Sequence, residues 1–225
     1  AWIEEPQISP DGKWIAYVKL TPDRTSNGYR RAVWLAPASG GEPRPFTSGT
    51  HQDHCPRWSP DSQRLVFVST RADKPHLYLI ALDGGEARQL TSLPQGAADP
   101  AWSPDGTRIA FRSRVNAAER REQDRGVQPP DDPDETKQIE ERKRKQEEQA
   151  RDPRIITRLP YRVANYYLDD RRSHIYVIQA HEQAKPQRLT DGDLDYAAPV
   201  WMPDGRFILT SAERDPEGDH MGFHT

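Results

Sequence analysis

His51, Asp53, His54 and Cys55 crowd into five consecutive positions, and imidazole, carboxylate and thiolate are the donors that zinc accepts. Their spacing matches no standard zinc motif, and neighbouring side chains on an extended segment point to opposite sides. The four therefore read as a polar loop with a small buried cysteine. Asp219, His220 and His224 form a weaker group of the same kind near the end of the sequence. Nucleophilic catalysis on an α/β-hydrolase scaffold needs a Gly-x-Ser-x-Gly elbow, which holds serine in a strained turn beside the oxyanion donors. Gly218 and Gly222 are the only glycines at that spacing, and His220 lies between them. No catalytic, cofactor-binding or metal-ligating residue is assigned, and no cofactor is expected.

Two further sets recur. Trp58, Trp102 and Trp201 could stack a base or a sugar, but they occupy one position of a repeat and read as packing residues. Arg64, Arg108 and Arg206 each follow a turn by a few residues. A ring of arginines around an opening would steer peptide carboxylates; a solvated strand face is the plainer expectation.

The elements that must position these residues come from the repeat. It runs through Pro6–Tyr17, Pro56–Phe67, Pro100–Phe111 and Pro199–Leu209, each copy centred on a turn such as Ser103-Pro104-Asp105-Gly106. Proline presets φ for the second turn position, aspartate suits the third, and glycine accepts the left-handed φ that follows. Short flanking segments rich in aromatic and β-branched residues make each copy a strand-turn-strand hairpin. Ser62 replaces the glycine in the second copy, at a cost of about 1 kcal/mol if φ there is positive. The central prolines lie at 10, 60, 104 and 203. Intervals of this size, with several strands in each, are the signature of a β-propeller.

The expected fold is all-β: a partial β-propeller of about three and a half four-stranded blades with one charged, helical insertion. Blade 1 spans about 6–49, with a polar loop over Thr21–Arg31, a third strand at Ala32–Ala36 and a fourth at Pro43–Thr47. Blade 2 spans about 56–92, with its third strand at His76–Leu82 apolar on both faces, as in a sheet covered on both sides. Blade 3 spans about 100–190, its last two strands at Ser173–Ala180 and Pro186–Thr190, and Ile155–Leu159 is a candidate extra strand. Blade 4 starts at 199 and is cut short, with a polar loop over Glu213–His224. The missing closure is expected from more chain or from a second copy.

Within blade 3, residues 116–153 carry 21 charges among 38 positions, with Val127 and Ile139 the only large aliphatic side chains. Such a segment cannot form core. Asp132 as N-cap, Pro133 at the first helical position, Glu135 completing a capping box, and the pairs Glu140/Arg144 and Glu141/Lys145 predict an exposed helix of about four turns. A solvated insertion is the first reading of its role; a lid or docking arm is the second.

Composition bounds the function. Thirty-two Lys and Arg against 35 Asp and Glu leave a net charge of -3, so no basic field invites nucleic acid. Hydrophobic residues make up 34% and mean hydropathy is -0.97, much of the polarity lying in the insertion. The single cysteine fits a reducing compartment, and no apolar run approaches the ~20 residues of a membrane span. Ala1 is not preceded by methionine, which leaves the natural N-terminus and any targeting signal open.

Two stretches make the pattern more specific: Arg158-Leu159-Pro160-Tyr161-Arg162 with Tyr167–Val177, and Gln187–Tyr196 running into Pro199-Val200-Trp201. With the Trp-Ser-Pro-Asp-Gly repeats, the chain resembles the N-terminal propeller of the prolyl oligopeptidase family of serine peptidases, on the acylaminoacyl-peptidase side. TolB-type propellers share the repeat. The resemblance implies a cytoplasmic, non-catalytic gating domain over an α/β-hydrolase domain of the same polypeptide, admitting short or acylated peptides. The dipeptidyl-peptidase branch uses a propeller Glu-Glu pair to hold the substrate amine; Glu4-Glu5, Glu140-Glu141 and Glu147-Glu148 lack the expected setting, which argues against that branch. The alternative is a TolB-like protein-interaction propeller, which would be periplasmic.

Overall fold

The computed structural model describes residues 2–24, 27–124, 162–163, 166–167, 171–181 and 184–212. They fall into two units, Ala1–Val115 with Arg172–Ala212, and Asn116–Arg171 with Glu213–Thr225.

The first unit holds three four-stranded antiparallel sheets and a hairpin. Sheet one is β1 (Trp2–Ile8), β2 (Trp14–Asp23), β3 (Gly28–Pro37) and β4 (Arg44–Pro45). Sheet two is β5 (Asp53–Trp58), β6 (Arg64–Ser69), β7 (His76–Ala81) and β8 (Arg88–Gln89). Sheet three begins with β9 (Ala98–Trp102) and β10 (Arg108–Val115).

In the second unit follow helix α1 (Ala117–Asp124) and a small ribbon of β11 (Arg162–Val163) and β12 (Tyr166–Tyr167). The chain then returns to sheet three with β13 (Arg172–Gln179) and β14 (Gln187–Arg188), in the order β14-β13-β10-β9. A last hairpin joins β15 (Val200–Trp201) to β16 (Ile208–Leu209). No helix among the described residues is long and apolar enough to cross a membrane.

The repeated turn forms as its residues require. The fourth-position amide donates to the first-position carbonyl in all four copies, at 2.8 to 2.9 Å. Gly12, Gly106 and Gly205 have φ of 71°, 69° and 67°, and Ser62 has 61°. In three copies the first-position serine hydroxyl donates to the turn aspartate and accepts the amide at 2.9 Å from the first residue of the next strand. The fourth copy has Met202 there and makes neither bond, since a thioether donates nothing and accepts only weakly.

Packing follows from strands buried on both faces. Along β6, Leu65 and Phe67 pack against Ala16, Val33 and Leu35 of sheet one. Val66 and Val68, one residue out of phase, pack against Ile109, Phe111, Tyr176 and Ile178 of sheet three. Alternation therefore divides a continuous apolar run between two neighbours. The outermost strands are only two residues long, and threonine completes each: Thr47, Thr91 and Thr190 accept the amides of Val33, Leu77 and Ile175 through Oγ1 at 3.0 to 3.1 Å.

Two expectations are corrected, and one further helix is found. Thr21–Arg31 is not a loop: β2 and β3 continue as a ribbon to the pair Asp23↔Gly28. Arg30 ties its end to Asp23 at 3.0 Å, and a two-stranded extension beyond the core needs no apolar residues. The first strand begins at Trp2, before the Pro6 that opens the repeat. A helix forms at Ala117–Asp124, where Asn116 Oδ1 accepts the Glu119 amide at 2.8 Å and the Glu119 carboxylate accepts the Asn116 amide at 2.9 Å. That is a capping box sixteen residues before the predicted one. The predicted helix from Asp132, the Ile155–Leu159 strand and the Glu213–His224 loop lie outside the described residues.

Candidate functional site

The strand that opens each of the three sheets carries the same irregularity. Two residues oppose one on the neighbouring strand: Glu5-Pro6 face Tyr17, Cys55-Pro56 face Phe67, and Asp99-Pro100 face Phe111. Proline has no amide to leave unpaired, so the bulge forfeits no donor there. The residue before it takes the left-handed conformation, with φ of 52° at Glu5, Cys55 and Asp99 alike.

This bulge overturns the expectation that adjacent side chains diverge at His54 and Cys55. Left-handed φ at Cys55 breaks the two-residue alternation, and His54 Nδ1 comes within 3.3 Å of Cys55 Sγ. Glu5 arrives from sheet one: its Oε2 accepts the Cys55 amide at 2.6 Å and its Oε1 accepts the thiol at 3.4 Å. Donor atoms of Glu5, His54 and Cys55 all lie within 4.8 Å of one another, and all three residues are half-buried. Burial, reinforced by the Glu5 carboxylate, pushes the Cys55 thiol up to about 12. Burial also lowers the His54 imidazole from its ordinary value.

Of the other residues named from the sequence, His51 is not in this group. Asp53 is fully buried, with Arg71 Nη2 at 3.5 Å from its Oδ2 and no protein partner on Oδ1. Asp99, the third left-handed residue, accepts from Nε and Nη2 of Arg112. Gly218, Asp219, His220, Gly222, His224, Glu140-Glu141 and Glu147-Glu148 lie outside the described residues. Glu5 was missed as a candidate ligand because fifty residues separate it from Cys55; the shared x-Pro position in the repeat was the signal available.

The tryptophans and arginines form a relay between sheets. Trp58, Trp102 and Trp201 each donate their indole N–H to a carbonyl of the preceding sheet, from Gln7, Arg57 and Ala101, at 3.0 to 3.1 Å. Arg64 lies 5.0 Å from the Trp102 ring and donates to the Gly106 carbonyl at 3.3 Å. Arg108 does the same with Trp201 and Gly205, at 4.7 and 3.2 Å. Neither arginine is a solvated strand residue: each spans the gap to the next repeat, gaining cation–π attraction and a hydrogen bond together. Arg206 is exposed and sits one position earlier in its repeat, where Gln63 and Thr107 stand.

A groove of about 560 Å³ lies between sheet three and the last hairpin, lined by Ile175, Val177, Leu189, Trp201 and Phe207 among others. Phe207 and Leu209 are more than 60% exposed on that hairpin, as are Ile3 and Ile8 on β1.

Comparison with known proteins follows the same lines. Residues 2–118, just over half of the chain, match the model of the TolB beta propeller domain family. An uncharacterized peptidase of Bacillus subtilis, YuxL, is 35% identical over 80 residues, which are 35% of this chain and 12% of that protein. The acylaminoacyl peptidase of Pyrococcus horikoshii superposes with a TM-score of 0.60 at 14% identity, over 91% of this chain and 27% of that one. TolB from Acinetobacter baumannii superposes with a TM-score of 0.54 at 19% identity, over 91% of this chain and 37% of that one. The chain thus spans only a fraction of each relative, and at these identities the superpositions carry the fold alone. Repeated turn, bulged first strand, four-stranded sheets and the family match converge: the chain belongs to the TolB beta propeller domain family.

Proposed function

We propose that this chain is a non-catalytic, substrate-gating propeller segment of a serine peptidase acting on acylated or short peptides, with the α/β-hydrolase domain elsewhere in the same polypeptide. The observation that carries this reading is the 35% identity to a peptidase, on a fold shared with the propeller region of acylaminoacyl peptidase. The residues present agree with a gating role: the sequence has no Gly-x-Ser-x-Gly elbow, and the described side chains bind sheets to one another. In a completed propeller the bulged first strands would face the axial opening, and peptides narrow enough to pass would reach the hydrolase. We place the parent protein in the cytoplasm, consistent with a lone unpaired cysteine.

The test is labelling of the full polypeptide with a fluorophosphonate, followed by peptide mapping. One labelled serine outside these 225 residues, with turnover of an N-acylated peptide that is lost on labelling, is the expected result. A label within the chain, or an unlabelled polypeptide without peptidase activity, would overturn the reading. The family match itself favours a second reading, a TolB-like protein-interaction module. It would be supported by a polypeptide that ends after further blades and is exported.

A further inference from the structure

The geometry points to a metal site of zinc type at the junction of the first two sheets, formed by Glu5, His54 and Cys55. A tetrahedral centre with bonds of 2.0–2.3 Å separates its donors by about 3.3–3.8 Å. Cys55 Sγ already stands 3.3 Å from His54 Nδ1 and 3.4 Å from Glu5 Oε1. One ligand atom from each of the three residues lies within 4.8 Å of the other two. Among the described residues this is the only such triad of possible ligands.

The hydrogen bonds at the site show what the ion would replace. The thiol proton now points to Glu5 Oε1, which holds it where a cation would sit. On binding, the S–H bond breaks, the proton leaves to solvent, and sulfur and Oε1 both ligate the metal. Glu5 Oε2 keeps the Cys55 amide, a bond that holds the ligating carboxylate in its orientation. Thiolate and carboxylate then balance a divalent charge, with imidazole neutral. Asp99, at the equivalent position of the next sheet, is engaged by Arg112, so three protein donors leave the fourth position to water. Sulfur and nitrogen donors select zinc over magnesium and calcium.

The experiment uses the full polypeptide, reduced and stripped with chelator, titrated with Co²⁺ and then Zn²⁺. Expected is a thiolate-to-cobalt charge-transfer band that saturates at one equivalent, is bleached by zinc, and is absent in Cys55→Ser. Glu5→Gln retains an acceptor for the Cys55 amide, and it and His54→Ala should each weaken binding by at least ~10-fold. No band in the wild type, a band retained in Cys55→Ser, or wild-type affinity in both Glu5→Gln and His54→Ala would overturn the site. Should Cys55→Ser fail to fold, those last two variants decide the matter. None of these readouts depends on peptidase activity.

Discussion

The indole Nε1–H of Trp102 donates to the main-chain carbonyl of Arg57 at 3.1 Å, and this bond sets the register of the third sheet against the second. Trp58 and Trp201 make the equivalent bond, so one side chain per repeat measures the step between sheets. A ring that only filled space would leave that step free to slide.

Trp102→Phe keeps most of the apolar surface and removes the donor. Leaving a part-buried carbonyl unpaired costs about 1–3 kcal/mol. Urea unfolding should show that loss with an unchanged m-value; wild-type stability would mean that the ring acts by packing alone.

Ser62 sets two effects of similar size against each other. Its left-handed φ costs about 1 kcal/mol, while its Oγ accepts the Asp11 amide at 3.0 Å across to the first sheet, a bond worth about 1 kcal/mol. Ser62→Gly relieves the first and forfeits the second, so its stability should stay within about 0.5 kcal/mol of wild type. Ser62→Ala keeps the strain and loses the bond, and should be less stable by about 1 kcal/mol.

The Ser103 hydroxyl, with the Thr107 amide behind it, draws Asp105 down from 3.8 to about 2. The folded chain thus holds this proton less tightly than the unfolded one. The contribution to stability is complete above about pH 4 and is lost as pH falls through about 2. Ser103→Ala should raise the Asp105 value in an NMR titration. No movement would assign the effect to the Thr107 amide.

With its thiol at about 12, metal-free Cys55 should be nearly inert. The lower thiolate fraction, partly offset by the greater nucleophilicity of a more basic sulfur, predicts alkylation about 100-fold slower than for an ordinary thiol at pH 8. Glu5→Gln removes the neighbouring negative charge and should speed it; equal rates would show that burial alone governs the thiol.

Much of this fold is legible in the sequence because the turn chemistry is local. Ser-Pro-Asp-Gly contains its own reasons for reversing the chain, and the left-handed φ at Ser62 follows from its place in the motif. What escaped was structure held by partners distant in sequence. Thr21 and Arg30 look like loop residues until they pair with each other. Arg64 looks solvated until Trp102 and Gly106 are set against it. Glu5 and Cys55 become neighbours only when two sheets stack, and His54 joins them only because a bulge turns it. The helix at Ala117–Asp124 was readable in Asn116 and Glu119, whose side chains cap it locally.

Glu5, Cys55 and Asp99 stand in one socket whose outline the backbone draws and whose content each copy fills differently: acid, thiol, acid. The turn that keeps the copies in phase lies several residues away and does not depend on that choice. A duplicated scaffold of this kind carries vacant addresses for chemistry, where a single codon change installs or withdraws a functional group and leaves the register of the sheets untouched.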